Sequence, residues 1–420
     1  MSQTLQKRGS KMRGLLPILT SVGALTSFSK RWSATDVRFS DELDFGREHT
    51  VEYYSASRSN RNAGDSRALG FDDAAYVAMR DDARRTPLFA RAIRERIAAR
   101  RGARTTVLDL GTGPFALLAL LAAEAGATKV WAVEADARAA QRAREHVRAR
   151  EAAGTLARGV VEIVEGRSTA VTLPERVDLL VCELAGSVAS EEGMRPTLRD
   201  AAERHVARPA ERASWIPTAA LTLAAPAVFL PHALTAGRLD WAPVARAAPM
   251  RCSCADRDVH LLAAPRPLEV VDCAEHGGTG ADDARGGWRP AGDAEFAIEA
   301  DRARGVAAAA AEALAGRLRP YAHADDDPTR LAAAAARTLS GVALWPALVL
   351  DERGEVVVRA RGPAGEPKRS HWQTVLALAA APRGPIRLEP GATVRAQLSY
   401  EATARVDATP QYELRASWAS

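Results

Sequence analysis

TTVLDLGTGPFALLALLAAEAGATKVWAVEAD, residues 105–136, decides the fold of this 420-residue chain. TTVLDL is a short apolar run ending at a glycine turn, the pattern of a strand buried on both faces. GTGPF turns the chain, residues 116–127 read as an alanine- and leucine-rich helix, and KVWAVEAD (129–136) reads as a second strand. That is a βαβ unit with its glycines in the first turn. The alternation continues through a helix at about 137–152 and the strands VVEIVE (160–165) and VDLLVC (177–182). A doubly wound, Rossmann-like α/β sheet is predicted. Upstream, residues 72–101 read as largely helical, with Gly102 as the stop.

Gly111 and Gly113 sit between strand and helix, where backbone approaches a ligand closely and a helix N-terminus offers free N–H groups. Glu134 closes the next strand, where an acid can accept both hydroxyls of a ribose. The pair suits a nicotinamide cofactor and S-adenosylmethionine equally. Phe115 stands close to where a third glycine is common, which weakens the dinucleotide reading because a pyrophosphate needs that approach. A nucleoside without phosphate needs it less.

The composition, 47% hydrophobic and 26% charged, supports a sizeable core and two domains. A net charge of +5 is spread among acids, so no direct nucleic-acid partner is read from it. Cys182, Cys252, Cys254 and Cys273 lack metal-ligand spacing; the reading is no metal site and a reduced intracellular protein, cytoplasmic or nuclear. No apolar run reaches membrane-spanning length, since 217–231 is broken by Pro226. Residues 1–35 are rich in Lys, Arg and Ser with no acid before Asp36, the composition of a transit peptide or of a disordered tail. The expected organisation is an N-terminal extension (1–65), a cofactor-binding domain (66–215) and a third region (216–420). In that last region short β-type runs predict a barrel, interrupted by a Gly/Asp-rich stretch (277–287) and an Ala-rich helical or flexible insertion (304–338).

ELAGSVASEE (183–192) carries the second chemical signal. Glu183 would stand at the C-terminal end of VDLLVC, the sheet edge where ligands bind, with Glu192 nine positions on and mostly small residues between. Methyl transfer from a sulfonium to a guanidinium brings two cations together, and Coulomb repulsion opposes it. Two carboxylates would offset that repulsion and orient one terminal nitrogen by paired hydrogen bonds. Taken alone, Glu191 and Glu192 also fit acidic decoration of a helix N-terminus.

The set VLDLGTG, VEAD, VDLLVCELAGSVASEEGM and SHWQTV (370–375) resembles the protein arginine N-methyltransferases. That resemblance implies a Rossmann-like methyltransferase domain followed by a β-barrel, with S-adenosylmethionine as cofactor and arginine-containing proteins as substrates. It implies that Glu183 and Glu192 grip the guanidinium, that His371 pairs with Asp82 in MRDDARRT (79–86), and that Trp372 and Met79 line the substrate side. Arg85 would hold the methionine carboxylate, with Asp109, Gly111, Gly113, Glu134 and Ser168 completing the cofactor site. Ser168 and Thr169 stand where many members place an acid, and Ser370 replaces a family threonine. Family members dimerise head to tail through an arm, expected here near 232–258. ELAGS looks like the symmetric or monomethylating branches, whereas Met79 and Met194 match the asymmetric one, so the product stays open. The rival readings are a non-catalytic scaffold of the same fold and a small-molecule methyltransferase.

Overall fold

The computed structural model describes residues 51–55, 73–100, 102–247, 249–276, 287–323, 325–379, 385–402 and 411–419. Residues 1–35, read as a targeting segment or tail, and most of the Gly/Asp-rich stretch at 277–287 lie outside them.

Five parallel strands form the first sheet: β1 (Thr106–Leu110), β2 (Lys129–Glu134), β3 (Val161–Glu165), β4 (Leu179–Cys182) and β5 (Trp215–Ile216), in the order β3-β2-β1-β4-β5. β1 is central and buried along its whole length, as its unbroken apolar run requires of a strand covered on both faces. The order reverses beside β1, so the chain crosses from one half of the sheet to the other above its C-terminal edge. Helices α1 (Asp73–Arg80), α2 (Thr86–Ala98), α3 (Leu117–Glu124), α4 (Ala137–Ala152) and α5 (Met194–Arg204) belong to the same region.

The single helix expected over 72–101 is two. The Asp82 carboxylate accepts the amides of Arg84 and Arg85, each at 3.0 Å, while Pro87 opens α2 in the first turn, where its missing N–H costs nothing. The break falls where the cofactor and histidine partners were expected.

The second region is antiparallel. Its larger sheet comprises β6 (Ala219–Phe229), β7 (Met250–Ser253), β8 (Val259–Leu261), β9 (Arg266–Asp272), then β11 (Gly341–Val349), β12 (Val357–Arg359) and β13 (Gln373–Leu378), after β10 (Gly287–Ala297) of the smaller sheet. The strand order is β9-β6-β11-β13-β7, with β12 on β11 and β8 on β6. The smaller sheet pairs β10 with β14 (Thr393–Ala402), β14 with β15 (Tyr412–Ala419), and β15 with the strand Val51–Ser55. The two sheets meet where β9 passes β10: a Cβ at Gly292 would lie 2.5 Å from the Leu268 carbonyl oxygen, so only glycine fits there. Val51–Ser55, assigned by sequence to the extension, is thus an edge strand; VEYYS has strand-forming residues, but its partner lies over 350 residues away.

The Ala-rich insertion forms two helices, Ala300–Ala315 and Pro328–Ala336, packed on each other. The second packs against Leu230–Thr235, the fully buried helix that opens the segment expected to form an arm. Further along that segment, β7 pairs with β13. Residues 230–235 and 250–253 are therefore held by this chain's own barrel region. Among the described residues, no helix is long and apolar enough to cross a membrane.

Candidate active site

Gly111 and Gly113 take positive φ angles of 77° and 66° at the C-terminal end of β1. Only glycine adopts these without strain. Glu134 stands beside them: Oε2 accepts the Gly113 amide at 2.8 Å and Oε1 the Asp136 amide at 2.9 Å. The Tyr76 ring of α1 covers the turn, since a Cβ on Gly113 would lie 3.3 Å from it. Asp109 is buried; its Oδ2 accepts from Thr112 Oγ1 at 2.5 Å and the Ala119 amide at 2.9 Å. Burial lifts its pKa to about 6 against those bonds.

Asp109 Oδ1 and Arg85 Nε are buried and have no hydrogen-bond partner among the described residues. The Arg85 charge acts on Asp109, so an unused acceptor and an unused cationic donor share one region. That donor set fits an amino-acid zwitterion, its carboxylate toward Arg85 and its ammonium toward Asp109. With Glu134 for a ribose, the residues present suit S-adenosylmethionine.

Phe115, which stands close to where a third glycine is common, leaves the glycine turn intact. The left-handed backbone falls on the next residue, Ala116 (φ 46°, ψ 39°). The Phe115 ring contacts His146 of α4 at a centroid distance of 5.4 Å, under the Arg80 guanidinium at 4.8 Å. It ties α1 to α4 by aromatic and cation–π contacts. Ser168 stands apart: its carbonyl accepts from Arg204 and from His205 Nε2, and it shares no hydrogen bond or ion pair with the cluster.

The acids come next. Glu183 follows β4 directly; Oε2 accepts Arg85 Nη2 at 3.0 Å and lies 3.5 Å from His371 Nε2, while Oε1 accepts the Ala185 amide at 3.1 Å. His371 Nδ1 donates to Asp82 Oδ2 at 3.1 Å, since an ionised carboxylate only accepts. Burial would raise Glu183, but Arg85 and then His371 outweigh it and hold the acid at about 2. Asp82 behaves likewise: the His371 bond and the two amides overcome burial and hold it at about 2. Glu192 is the opposite case. It has no hydrogen bond or ion pair among the described residues, and burial, then Glu183 and Glu191, push it to about 8 with Arg251 opposing. Two glutamates of one loop thus have widely separated pKa values, the mark of a site that asks different things of each.

The loop between them is fixed by the barrel. Trp372 Nε1 donates to the Ala185 carbonyl at 2.6 Å and the Gln373 amide to Ser187 Oγ at 3.2 Å. The Ala189 amide donates to Thr222 Oγ1 of β6 at 2.8 Å. Ser190 Oγ donates to Glu269 of β9 at 2.5 Å and lies 2.6 Å from the Tyr412 hydroxyl of β15. Glu269 also receives Arg195 of α5 at 3.0 Å and Thr222 Oγ1 at 2.7 Å. Glu191 takes both Arg251 nitrogens of β7, at 3.2 and 2.7 Å, and the Ser187 amide at 2.5 Å. Gly186 leaves room for it, because a Cβ there would meet Glu191 Cγ at 2.2 Å.

The structure therefore brings Asp82, Arg85, Glu183 and His371 into one hydrogen-bonded and ionic chain, with Asp109 and Glu192 in electrostatic reach. Trp372, expected on the substrate side, is buried, packs on His371 at 4.0 Å and spends its N–H on the loop. It positions the site. Met79 lies half-buried on α1, its carbonyl facing Arg85, and Met194 is fully buried at the start of α5. Sequence reasoning missed Tyr76, Arg251 and Glu269, and read Glu191 as decoration; only the doubled glutamate of SEEGM carried a signal.

Glu192 makes one prediction about stability. The folded form holds its proton more tightly than the unfolded chain, whose glutamate titrates near pH ~4.3. The associated stability is complete below that range and is lost as pH rises through about 8. Glu192→Gln should therefore melt several degrees higher than the parent at pH 8.5 and nearly level with it at pH 5; thermal melts that coincide at both pH values would contradict this account.

No family model matches the chain. In sequence it is 40% identical over 99 residues to "Protein arginine N-methyltransferase PRMT10" of Arabidopsis thaliana, 24% of either chain. It is 43% identical over 88 residues to the protein of the same name from Oryza sativa subsp. japonica, 21% of either chain. The matches span about a quarter of the length of these curated relatives. In structure it is similar to the Trypanosoma brucei PRMT1 enzyme–prozyme heterotetrameric complex with AdoHcy, with a TM-score of 0.53 at 17% identity over 81% of this chain and 97% of that one. For Arabidopsis thaliana protein arginine methyltransferase 10 in an open conformation the TM-score is 0.50 at 17% identity, over 82% and 97%. The chain thus has the α/β-plus-barrel fold of the protein arginine methyltransferases over most of its length and is 40–43% identical to curated relatives over about a quarter of it.

Proposed function

We propose that this protein is an S-adenosylmethionine-dependent protein arginine N-methyltransferase. The carrying observation is the pair of acids at the sheet edge, Glu183 held ionised by Arg85 and His371 and Glu192 unpaired across the loop, next to a glycine turn with Glu134. S-adenosylmethionine, when bound, supplies an electrophilic methyl on a sulfonium. Arg85 and Asp109 would hold the ends of its amino-acid portion and Glu134 its ribose. Glu183, fixed by the Ala185 amide and by Arg85, accepts from one guanidinium nitrogen, and Glu192 from another. The Glu183 charge, joined by that of Glu192 when it ionises against the bound guanidinium, offsets the repulsion between reacting cations and sets one nitrogen in line with the methyl. His371, oriented by Asp82, keeps Glu183 in place from the barrel side.

An intracellular location belongs to the same reading, supported by four buried free thiols. So does self-association, which light scattering would measure. The test is incubation with methyl-labelled S-adenosylmethionine and a panel of arginine-rich polypeptides, followed by complete hydrolysis. Methylarginine is expected, and its form names the product type. Absence of label together with absence of calorimetric binding of S-adenosylmethionine would leave the non-catalytic scaffold.

A further inference from the structure

Glu191 and Glu192 are chain neighbours with opposite environments. The Glu191 carboxylate turns into the protein, where Arg251 of β7 takes both its oxygens and the Ser187 amide takes one. Glu192 lies within electrostatic reach of Glu183 and has no hydrogen bond or ion pair among the described residues. The groups that act on it are Glu183 from the end of β4, its neighbour Glu191, Arg251 from β7 and, from α1, the Tyr76 hydroxyl. Of these, Arg251 is the one cation. A third carboxylate beside two that must carry charge would be a liability if it stood alone, because like charges oppose each other's ionisation.

We propose that the Arg251–Glu191 pair sets the charge carried by Glu192, which makes Arg251 and Glu191 positioning residues for the guanidinium site. Glu191 is needed in shape, as the group that closes the loop over Gly186 onto the Ser187 amide. Its charge is balanced by a side chain that the barrel reaches across to supply, at 2.7 Å. The acid that meets substrate sits on a loop of the α/β region, yet its ionisation is governed from β7. Arg251 is partly buried and its Glu191 partner nearly fully so, which keeps solvent from screening the pair out of effect.

The inference gives opposite signs for two substitutions. Glu191→Gln keeps the loop-closing geometry, removes one negative neighbour of Glu192 and leaves Arg251 beside it; Glu192 then ionises at lower pH. Arg251→Met keeps the length of the side chain, removes the cation and leaves Glu191 uncompensated; Glu192 then ionises at higher pH. Each shift should be on the order of one pH unit, the size expected for one charge several ångströms away at an effective dielectric constant of about 20. The double variant should lie between the two.

The role of Glu192 in gripping a guanidinium rests on the proposed function, so the readout is chosen not to depend on activity. The full chain, without ligand, is labelled at the glutamate carboxyl carbons, and the Glu192 resonance is assigned by its loss in Glu192→Gln. Its midpoint is then followed by carbon NMR against pH. Expected are a lower midpoint in Glu191→Gln and a higher one in Arg251→Met. A midpoint in Glu191→Gln that is unchanged or higher overturns the proposal, even if Arg251→Met fails to fold. In the methylation assay the acid limb of kcat/KM should move with the NMR midpoint from variant to variant. Midpoints that move as expected in a protein that methylates no arginine would sink the proposed activity and leave this inference standing.

Discussion

Glu183→Gln is expected to lower methyl transfer to arginine about 10³-fold while cofactor affinity stays level or rises. The wild-type carboxylate is the centre of the ionic chain, receiving Arg85 at 3.0 Å and facing His371 Nε2 at 3.5 Å. A glutamine keeps the shape and removes the charge. It offers one oxygen where two donors point, and its amide N–H₂ must face either Arg85 or the substrate. The guanidinium then loses one of its two anionic partners in a region with little water, where a single preorganised charged group is worth about 10²–10³ in rate. Cofactor binding responds with the other sign, because Arg85 no longer shares its charge with Glu183 and is free for a carboxylate. Single-turnover rates and calorimetry separate the two effects. A variant that turns over within about tenfold of the parent would remove Glu183 from the chemistry.

The second large effect concerns folding. Glu269 is almost completely buried and serves Ser190, Arg195 and Thr222 together, with the Tyr412 hydroxyl on Ser190 closing the network. Glu269→Ala would take away the carboxylate that pairs with the buried Arg195 guanidinium at 3.0 Å, which also lies over the Tyr400 ring at 4.3 Å. Breaking such a pair from one side costs about 3–5 kcal/mol. Removing both charges, in Glu269→Leu with Arg195→Met, should recover much of that loss, since apolar replacement of a whole buried pair is often near neutral. Denaturant unfolding followed by tryptophan fluorescence measures both. A loss below about 1 kcal/mol in the single variant would mean that the network adds little to stability.

How much of this was legible in the sequence depends on how far apart the cooperating residues lie. β1, the turn after it and the strand that ends at Glu134 are encoded within about thirty residues and are legible there, because periodicity and turn chemistry are local signals. The Asp82–His371 pairing spans 289 positions and was reached only through family resemblance. The break between α1 and α2 was invisible to helical periodicity, since an aspartate accepting two amides competes with the helix without disturbing the apolar pattern. Arg251 and Glu269 gave no signal: one arginine among many and one acid in an alternating strand acquire meaning only from partners 60 and 79 positions away. Phe115 stands near the place of a third glycine without needing to be one. Its backbone takes an ordinary φ, and its ring found use between two helices.

The loop from Glu183 to Glu192 is held by Thr222, Arg251, Glu269, Gln373 and, through Ser190, Tyr412. Such contacts close long stretches of chain and form late in folding. On a ribosome, which extends a chain from its N-terminus, the α/β region emerges well before Tyr412. A nascent chain can therefore complete its cofactor-binding half while the acid pair is still loose. On the proposed function, the site is complete only once Tyr412 of β15 is in place, and removing that strand should silence methyl transfer.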